Sequence, residues 1–210
     1  MPGRILIDQE KYILENVFPM TLNLKSDHGR REKTDPLNHS EFEQFRSGIY
    51  KLNWVGRESR PEVCGIASLL AQELKDATLE HAQLYNKAVK FLRSTASQTW
   101  TIWEHDPVNM KVVSVSDSGG ISGDSGKVQN ASMVLISDES VAAGKNLRVS
   151  PLAWRSCKCR RVVNSSLAAE IQAASMGLAE AQWIQLLLRD ALSNRPPESN
   201  VGRNSLVHSR

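Results

Sequence analysis

Residues 165–192 read SSLAAEIQAASMGLAEAQWIQLLLRDAL and form the longest helical pattern of the chain. Apolar residues recur there at gaps of three and four, which is the spacing of one face of an α-helix. Ser165 or Ser166 can cap the start, because a serine hydroxyl accepts hydrogen bonds from the first turn. The sequence therefore predicts one long helix that packs on a sheet through an apolar stripe. The stripe comprises Leu167, Ile171, Ala174, Leu178, Ala181, Ile184 and Leu188.

Upstream of this helix, residues 97–161 have the period of strands. Short runs rich in Val, Ile and Trp alternate with clusters of Gly, Ser and Asp, a pattern typical of strands joined by turns. We expect three or four strands, joined mostly as an antiparallel meander. The runs occupy residues 99–103, 111–116, 132–136 and 152–155.

Residues 41–96 carry three shorter helical patterns. Phe45, Ile49 and Leu52 recur at gaps of four and three, so they share one face of the first helix. Pro61 suits the first position of the second helix, and Thr78 can cap the third. Their apolar faces predict that the three helices pack together as a small unit.

The two ends of the chain differ from its middle. Residues 25–40 are polar and rich in loop formers, typical of a linker or a long loop. Residues 193–210 consist largely of Asn, Arg, Pro and Ser and are predicted to be disordered. We therefore predict an α+β fold with segments 1–40, 41–96, 97–192 and 193–210, in which a helical N-terminal part precedes the sheet and its long helix.

Composition excludes several classes of protein. Hydrophobic residues make up 40% of the 210 residues and charged residues 23%, enough apolar content to build a core. No uncharged stretch approaches the ~20 residues of a membrane span, and the first 30 residues lack the apolar core of a secretory signal. The sequence thus predicts an intracellular protein of cytoplasm or nucleus, neither secreted nor bound to a membrane. The net charge of +3 is compatible with nucleic-acid binding without establishing it.

Two carboxylates stand out by their positions. Asp117 ends a predicted strand in which Val113 and Val115 share its face, and the valines predict that this face is buried. Glu170 lies beside Ile171, at the border of the apolar stripe of the long helix. On facing surfaces, the two carboxylates would share a hard cation such as Mg²⁺, which prefers oxygen ligands. A structural alternative stays open, because Asp before Ser-Gly-Gly favours a turn and Glu suits the first turn of a helix.

Four cations precede the long helix within seven residues: Arg155, Lys158, Arg160 and Arg161. A solvated loop accounts for such a run on its own. Phosphate binding beside a carboxylate site accounts for it as well. The sequence of this segment alone does not decide between a solvated loop and a phosphate-binding site.

Segments in the first half resemble the end of the reverse transcriptase in Ty1/copia-type retrotransposon polyproteins. FRSGIYKLNW at 45–54, followed by SRPEV at 59–63, resembles the family's YRSLVGSLLYL…TRPDI. HAQLYNKAVKFLRST at 81–95 resembles HWxAVKRILRYLKGT, and IDQEKY at 7–12 resembles ISQxKYxxxLL near the end of the polymerase palm.

Segments in the second half resemble, in the family's order, the start of its ribonuclease H domain. Ser116-Asp117 resembles the SDADW strand, LAWRS at 152–156 the ISWSSKKQ strand, and SSLAAE at 165–170 the SSTEAEY helix start. AQWI at 181–184 with LLL at 186–188 is similar to EALWLRxLL. Order and spacing over about residues 5–192 carry the resemblance.

The resemblance implies a partial palm end and linker at 1–40, a thumb- or connection-like helical region at 41–96 and a partial ribonuclease-H-like domain with a mixed sheet at 97–192. It also implies Mg²⁺-dependent cleavage of RNA in RNA–DNA hybrids, with Asp117 and Glu170 as catalytic and metal-binding residues. Arg155, Lys158, Arg160 and Arg161 would contact the backbone of the hybrid or of another nucleic acid. The remainder of the polyprotein is the implied protein partner.

The chain also departs from the family. It contains no Tyr-x-Asp-Asp, and residues 193–210 hold no Asp that would serve as the third metal-binding carboxylate. The first acidic residue of TEAEY is Ala168 here. We therefore expect a truncated copy that is inactive in isolation, and the alternative is a non-catalytic remnant that binds nucleic acid weakly through its basic strand.

Overall fold

A computed structural model describes residues 3–26, 29–119, 128–138 and 148–193. The predicted disordered tail lies outside these residues, apart from Ser193 at the end of the last helix. The helices are α1 (Glu10–Asn16), α2 (His39–Glu58), a 3₁₀ turn (Pro61–Val63), α3 (Cys64–Gln72), α4 (Leu79–Ser94) and α5 (Ser166–Ser193). The strands are β1 (Arg4–Ile7), β2 (Lys25–Ser26), β3 (Gly29–Arg30), β4 (Trp100–Trp103), β5 (Met110–Gly119), β6 (Gln129–Asp138) and β7 (Ser150–Lys158).

The predicted helical unit consists of α2, the 3₁₀ turn, α3 and α4. Asn38 caps α2 and exchanges hydrogen bonds with Glu41, while Pro61 opens the 3₁₀ turn and α4 begins after Thr78. The phenyl ring of Phe45 meets the Tyr85 ring edge to face, with ring centroids 6.2 Å apart. These apolar faces enclose the largest core of the molecule, so the predicted unit is confirmed. The fully buried side chains of this core come from α1 and from the helical unit, and they include Ile13, Phe45, Ile49, Leu52, Leu70, Tyr85 and Leu92.

The predicted meander is β5–β6–β7, paired antiparallel throughout. The resemblance implies a mixed sheet, but every strand pair among the described residues is antiparallel. The run at 99–103 does not join this sheet: it forms β4, which pairs with β1 from Arg4↔Trp103 to Ile7↔Trp100. The strand period of a segment does not indicate which strand it pairs with. The pairing of β4 with the N-terminal strand β1 was therefore not predicted from the sequence.

Helix α5 packs on one face of the meander, which confirms the α+β prediction. The contact uses the small residues Ala169, Ala173 and Gly177, all of which are buried. A Cβ atom on Gly177 would lie 2.6 Å from Ser114 Oγ and 3.4 Å from Ser132 Cβ, so helix and sheet approach closely here. We call the sheet face of Ser114, Ser116 and Ser132 the serine face.

The predicted stripe of α5 is wrong in its first half. Leu167 and Ile171 are 68% and 59% exposed, because the small-residue side of the helix, rather than the leucine side, meets the serine face. Trp183 and Leu187, farther along, are also largely exposed, at 60% and 46%. In the described residues, no helix is both long and apolar enough to cross a membrane.

The opposite face of the meander meets the helical unit. The indole Nε1 of Trp154 in β7 donates to the backbone carbonyl of Gly56 at 2.6 Å. The amide of Gln129 donates to Ser68 Oγ at 2.9 Å and to Ser156 Oγ at 2.8 Å. The sheet is therefore a middle layer, with α5 on one side and α2 and α3 on the other.

Candidate functional site

Asp117 lies near the end of β5, opposite Ala131 of β6. Its carboxylate is exposed and accepts a hydrogen bond from the Ser118 backbone N–H at 2.9 Å. Asp117 shares a face with Val113 and Val115, as strand alternation predicts. That valine face, however, is turned away from α5, and Val115 is 55% exposed. It opens instead into a groove whose other wall is the 3₁₀ turn and the start of α3.

Glu170 lies in the first turns of α5 and is exposed. Because α5 covers the serine face, Glu170 and Asp117 belong to opposite sides of the sheet. The expectation that the two carboxylates face each other is therefore wrong. Its physical reason is the choice of the packing face: the serines, not the valines, let the helix backbone approach.

These two residues do not fit a shared Mg²⁺ site. A single Mg²⁺ holds its oxygen ligands at about 2.1 Å, so both carboxylates would have to reach one side of the sheet. No cluster of three or more His, Cys, Asp or Glu side chains able to hold a metal occurs in residues 3–26, 29–119, 128–138 and 148–193.

The four cations of the basic segment, Arg155, Lys158, Arg160 and Arg161, are all exposed. Arg155 has the same strand parity as Cys157, whose Sγ contacts Met176 Sδ of α5 at 3.6 Å, so Arg155 lies on the α5 side of β7. Lys158 has the parity of Ser156 and lies on the α3 side. Arg160 and Arg161 follow in the connection to α5. The basic segment thus surrounds the end of β7 from both sides.

No carboxylate of the described chain lies within 4 Å of these four charges. Among the described residues, salt bridges join Arg31 to Glu41 at 2.9 Å and Arg60 to Glu62 at 2.5 Å, while the basic segment has none. The basic segment therefore presents charge that is not neutralised by the described fold. Unpaired cations of this kind suit phosphate groups, which Arg and Lys bind through charge-assisted hydrogen bonds.

A fifth cation, Arg57, lines a groove of about 390 Å³ at β7, to which Arg155 and Glu180 also contribute. Arg57 comes from the last turn of α2, and its side chain is exposed. Sequence reasoning missed it because Arg57 and Arg155 are far apart in the chain and no local pattern marks the former. Polar groups of Asn53 and Ser68 line the same groove. The guanidinium group of Arg57 can bind a phosphate there, while Glu180 of α5 adds a negative charge to the same groove.

The groove also contains the carboxylate of Glu180 and the thiol of Cys64. Glu180 of α5 accepts a hydrogen bond from the Ser132 hydroxyl at 3.1 Å. Burial raises the pKa of the Cys64 thiol, although the charge of Arg57 acts in the opposite direction. A buried thiol held protonated is a poor nucleophile. Cys64 is therefore a poor nucleophile in this groove, which the half-buried Cys157 also lines.

Comparison of the chain with protein-family models, with curated proteins and with solved structures finds no match.

Proposed function

We propose that this chain binds nucleic acid without cleaving it, as a non-catalytic relative of the reverse transcriptase and ribonuclease H region of copia-type polyproteins. The observation that carries the proposal is the basic segment: four exposed cations at one end of β7 with no carboxylate of the described chain near them. The order of the motifs along the sequence supports the relationship.

The proposed binding mode is contact with the sugar-phosphate backbone. Arg57 and Arg155 line one groove, Lys158 lies on the α3 side of β7, and Arg160 and Arg161 follow in the connection to α5. Contacts of this type position a protein on a duplex and carry no sequence information. Since hybrid duplexes are recognised mostly by shape and phosphate, we propose an RNA–DNA hybrid as the preferred partner.

The separation of Asp117 from Glu170 supports the non-catalytic part of the proposal. Two-metal hydrolysis needs carboxylates that converge on both ions. Here, one carboxylate projects from the valine face and the other is carried by the helix on the serine face. Mg²⁺-dependent cleavage is the second candidate function, and it rests on the sequence resemblance alone.

The experiment combines binding and cleavage on one labelled RNA–DNA hybrid, with Mg²⁺ present. We expect a complex that forms with the full chain and an RNA strand that stays intact. Asp117→Asn and Glu170→Gln should bind as the wild type does, because neither carboxylate contacts phosphate. Cleavage by the wild type that is lost in Asp117→Asn would overturn the non-catalytic proposal.

A second comparison tests the choice of partner. The hybrid, a DNA duplex and a single-stranded RNA of equal length are measured at one salt concentration. We expect the tightest binding for the hybrid. Equal affinity for all three would show backbone binding without the shape preference, and no binding to any of them would contradict the proposed function.

A further inference from the structure

Among the described residues, strand β5 has an open outer edge. All ten residues of β5 face partners in β6 on one side, from Met110↔Asp138 to Gly119↔Gln129. On the other side, no strand among the described residues pairs with it. An edge of this length exposes backbone N–H and C=O groups and is a template for another strand.

The sequence of β5, MKVVSVSDSG, carries only part of the usual protection of an edge, namely two charged side chains. It has no proline, and its charges are confined to Lys111 and Asp117. Both side chains lie on the valine face, three residues before and three residues after Ser114. The strand therefore carries opposite charges placed symmetrically about its centre.

Helix α5 extends this open edge with an apolar flank. Leu178, Ala181 and Leu188 line a groove of about 500 Å³ together with Met110 and Val112 of β5, and Gln182, Gln185 and Arg189 line its polar part. Leu167 and Ile171 lie within about 40° of Leu178 around the helix axis, so they continue the same flank. All three are more than half exposed. An exposed apolar strip beside an open strand edge is typical of an interaction surface.

We propose that a second copy of this chain covers this surface, with the two β5 strands paired antiparallel about a two-fold axis through Ser114. The register then places Lys111 of each copy opposite Asp117 of the other, and Val113 opposite Val115. The result is a continuous antiparallel sheet of six strands. Such an interface is isologous, because each contact occurs twice.

The spacing of the helices fits this arrangement. Helix α5 packs over both β5 and β6, and neighbouring strands lie about 4.8 Å apart. Pairing two β5 strands would therefore bring the two α5 axes to roughly 10 Å, within the range of packed helices. Because the axis passes beside Gly177, Leu178 of each copy would face Leu178 of the other, and Leu167 and Ile171 would face the C-terminal half of the partner helix. The same axis thus closes both the strand edge and the apolar flank.

A second copy fits better than an unrelated strand because the surface is complementary to itself. An unrelated partner would need its own pair of charges at the same spacing and its own apolar helix at the same height. The chain supplies both. This inference is independent of the proposed function, since the basic segment lies at β7, the opposite edge of the sheet.

The test measures the mass of the full chain in solution by sedimentation over a wide range of concentration. We expect a monomer–dimer equilibrium with no larger species. Lys111→Glu places like charges opposite each other twice and should raise the dissociation constant about tenfold. The combined Lys111→Glu and Asp117→Lys exchange restores opposite charges and should return the dissociation constant to that of the wild type. Lys11→Glu, on exposed α1, changes charge equally and should have no effect.

A second pair of variants tests the helix flank if a charge change impairs folding. Leu178→Glu should weaken the dimer, whereas Leu69→Glu, at a comparably exposed leucine of α3, should not. Circular dichroism confirms that each variant is folded. A wild-type monomer at every concentration, or a charge exchange that fails to restore what Lys111→Glu removes, would overturn the inference.

Discussion

Replacing Trp154 with phenylalanine removes one hydrogen bond between the sheet and the helical unit and keeps an aromatic ring in place. The indole Nε1 donates to the Gly56 carbonyl at 2.6 Å, and the indole ring lies 4.7 Å from that of Trp100. Gly56 is buried and belongs to the last turn of α2, where carbonyls have no partner inside the helix. The variant therefore leaves a buried acceptor without its donor.

The magnitude follows from these contacts. Leaving a buried acceptor unpaired costs about 1–3 kcal/mol of the free energy of unfolding. The smaller ring gives up packing worth roughly 1 kcal/mol. We expect a loss of about 2–4 kcal/mol and a decrease in Tm on the order of 5–10 °C.

The assay is urea unfolding followed by circular dichroism, with Trp183→Phe as the matched control. Trp183 is 60% exposed and has no hydrogen-bond partner among the described residues, so the same substitution there should change stability by less than about 0.5 kcal/mol. Equal effects of Trp154→Phe and Trp183→Phe would refute the reasoning, because the bond to Gly56 would then contribute nothing.

Three further expectations concern the helical unit. Gly48→Ala should destabilise by about 1–2 kcal/mol in thermal unfolding, because the new Cβ would lie 2.4 Å from Tyr85 Oη and overpacking outweighs the gain in helix propensity; an unchanged or raised Tm would contradict it. Burial alone raises the pKa of Glu41, but hydrogen bonds from backbone N–H groups and the nearby guanidinium lower it overall. Its contribution is thus complete above the ordinary pKa of 4.5 and is lost as the pH falls through the folded pKa, so Glu41→Gln should flatten acid unfolding; parallel acid curves would count against this. Cys64, 5% exposed and with a raised pKa, should react more slowly with iodoacetamide than half-buried Cys157, and the reverse order would refute the burial argument.

Local signals predicted most of the helices and strands. Pro61 and Thr78 mark helix starts through the chemistry of the first turn, which depends on neighbours in sequence. Strand period likewise depends on adjacent residues, and it located β5, β6 and β7. The predicted α+β layout followed because each of these signals is local.

Choices between faces and partners were not predicted. Val113 and Val115 mark the apolar face of β5, yet α5 packs on the face of Ser114, because small side chains on both surfaces allow closer approach. The leucines of α5 mark an apolar side in the same way, but Ala173 and Gly177 form the contact. An apolar stripe indicates that burial of a surface is favourable. Tertiary packing decides whether that surface is buried and against which element.

In the candidate site, too, local features were predicted and long-range contacts were not. The basic segment was predicted because its four charges are close in sequence. Arg57 was not, because only folding brings it into the groove that Arg155 also lines. The facing arrangement of Asp117 and Glu170 was wrong because it depended on the packing face of α5. Long-range geometry, rather than residue chemistry, separates the confirmed expectations from the mistaken ones.

The most direct test of nucleic-acid binding by the basic segment is the salt dependence of affinity for an RNA–DNA hybrid. Each phosphate contact contributes about 0.9 to the slope of log affinity against log salt. Arg160→Ala with Arg161→Ala should reduce the slope by roughly 2 and weaken binding at low salt. Lys11→Ala with Lys25→Ala removes the same charge from the N-terminal segment and should leave the slope unchanged. Equal slopes for the two double variants would contradict the account.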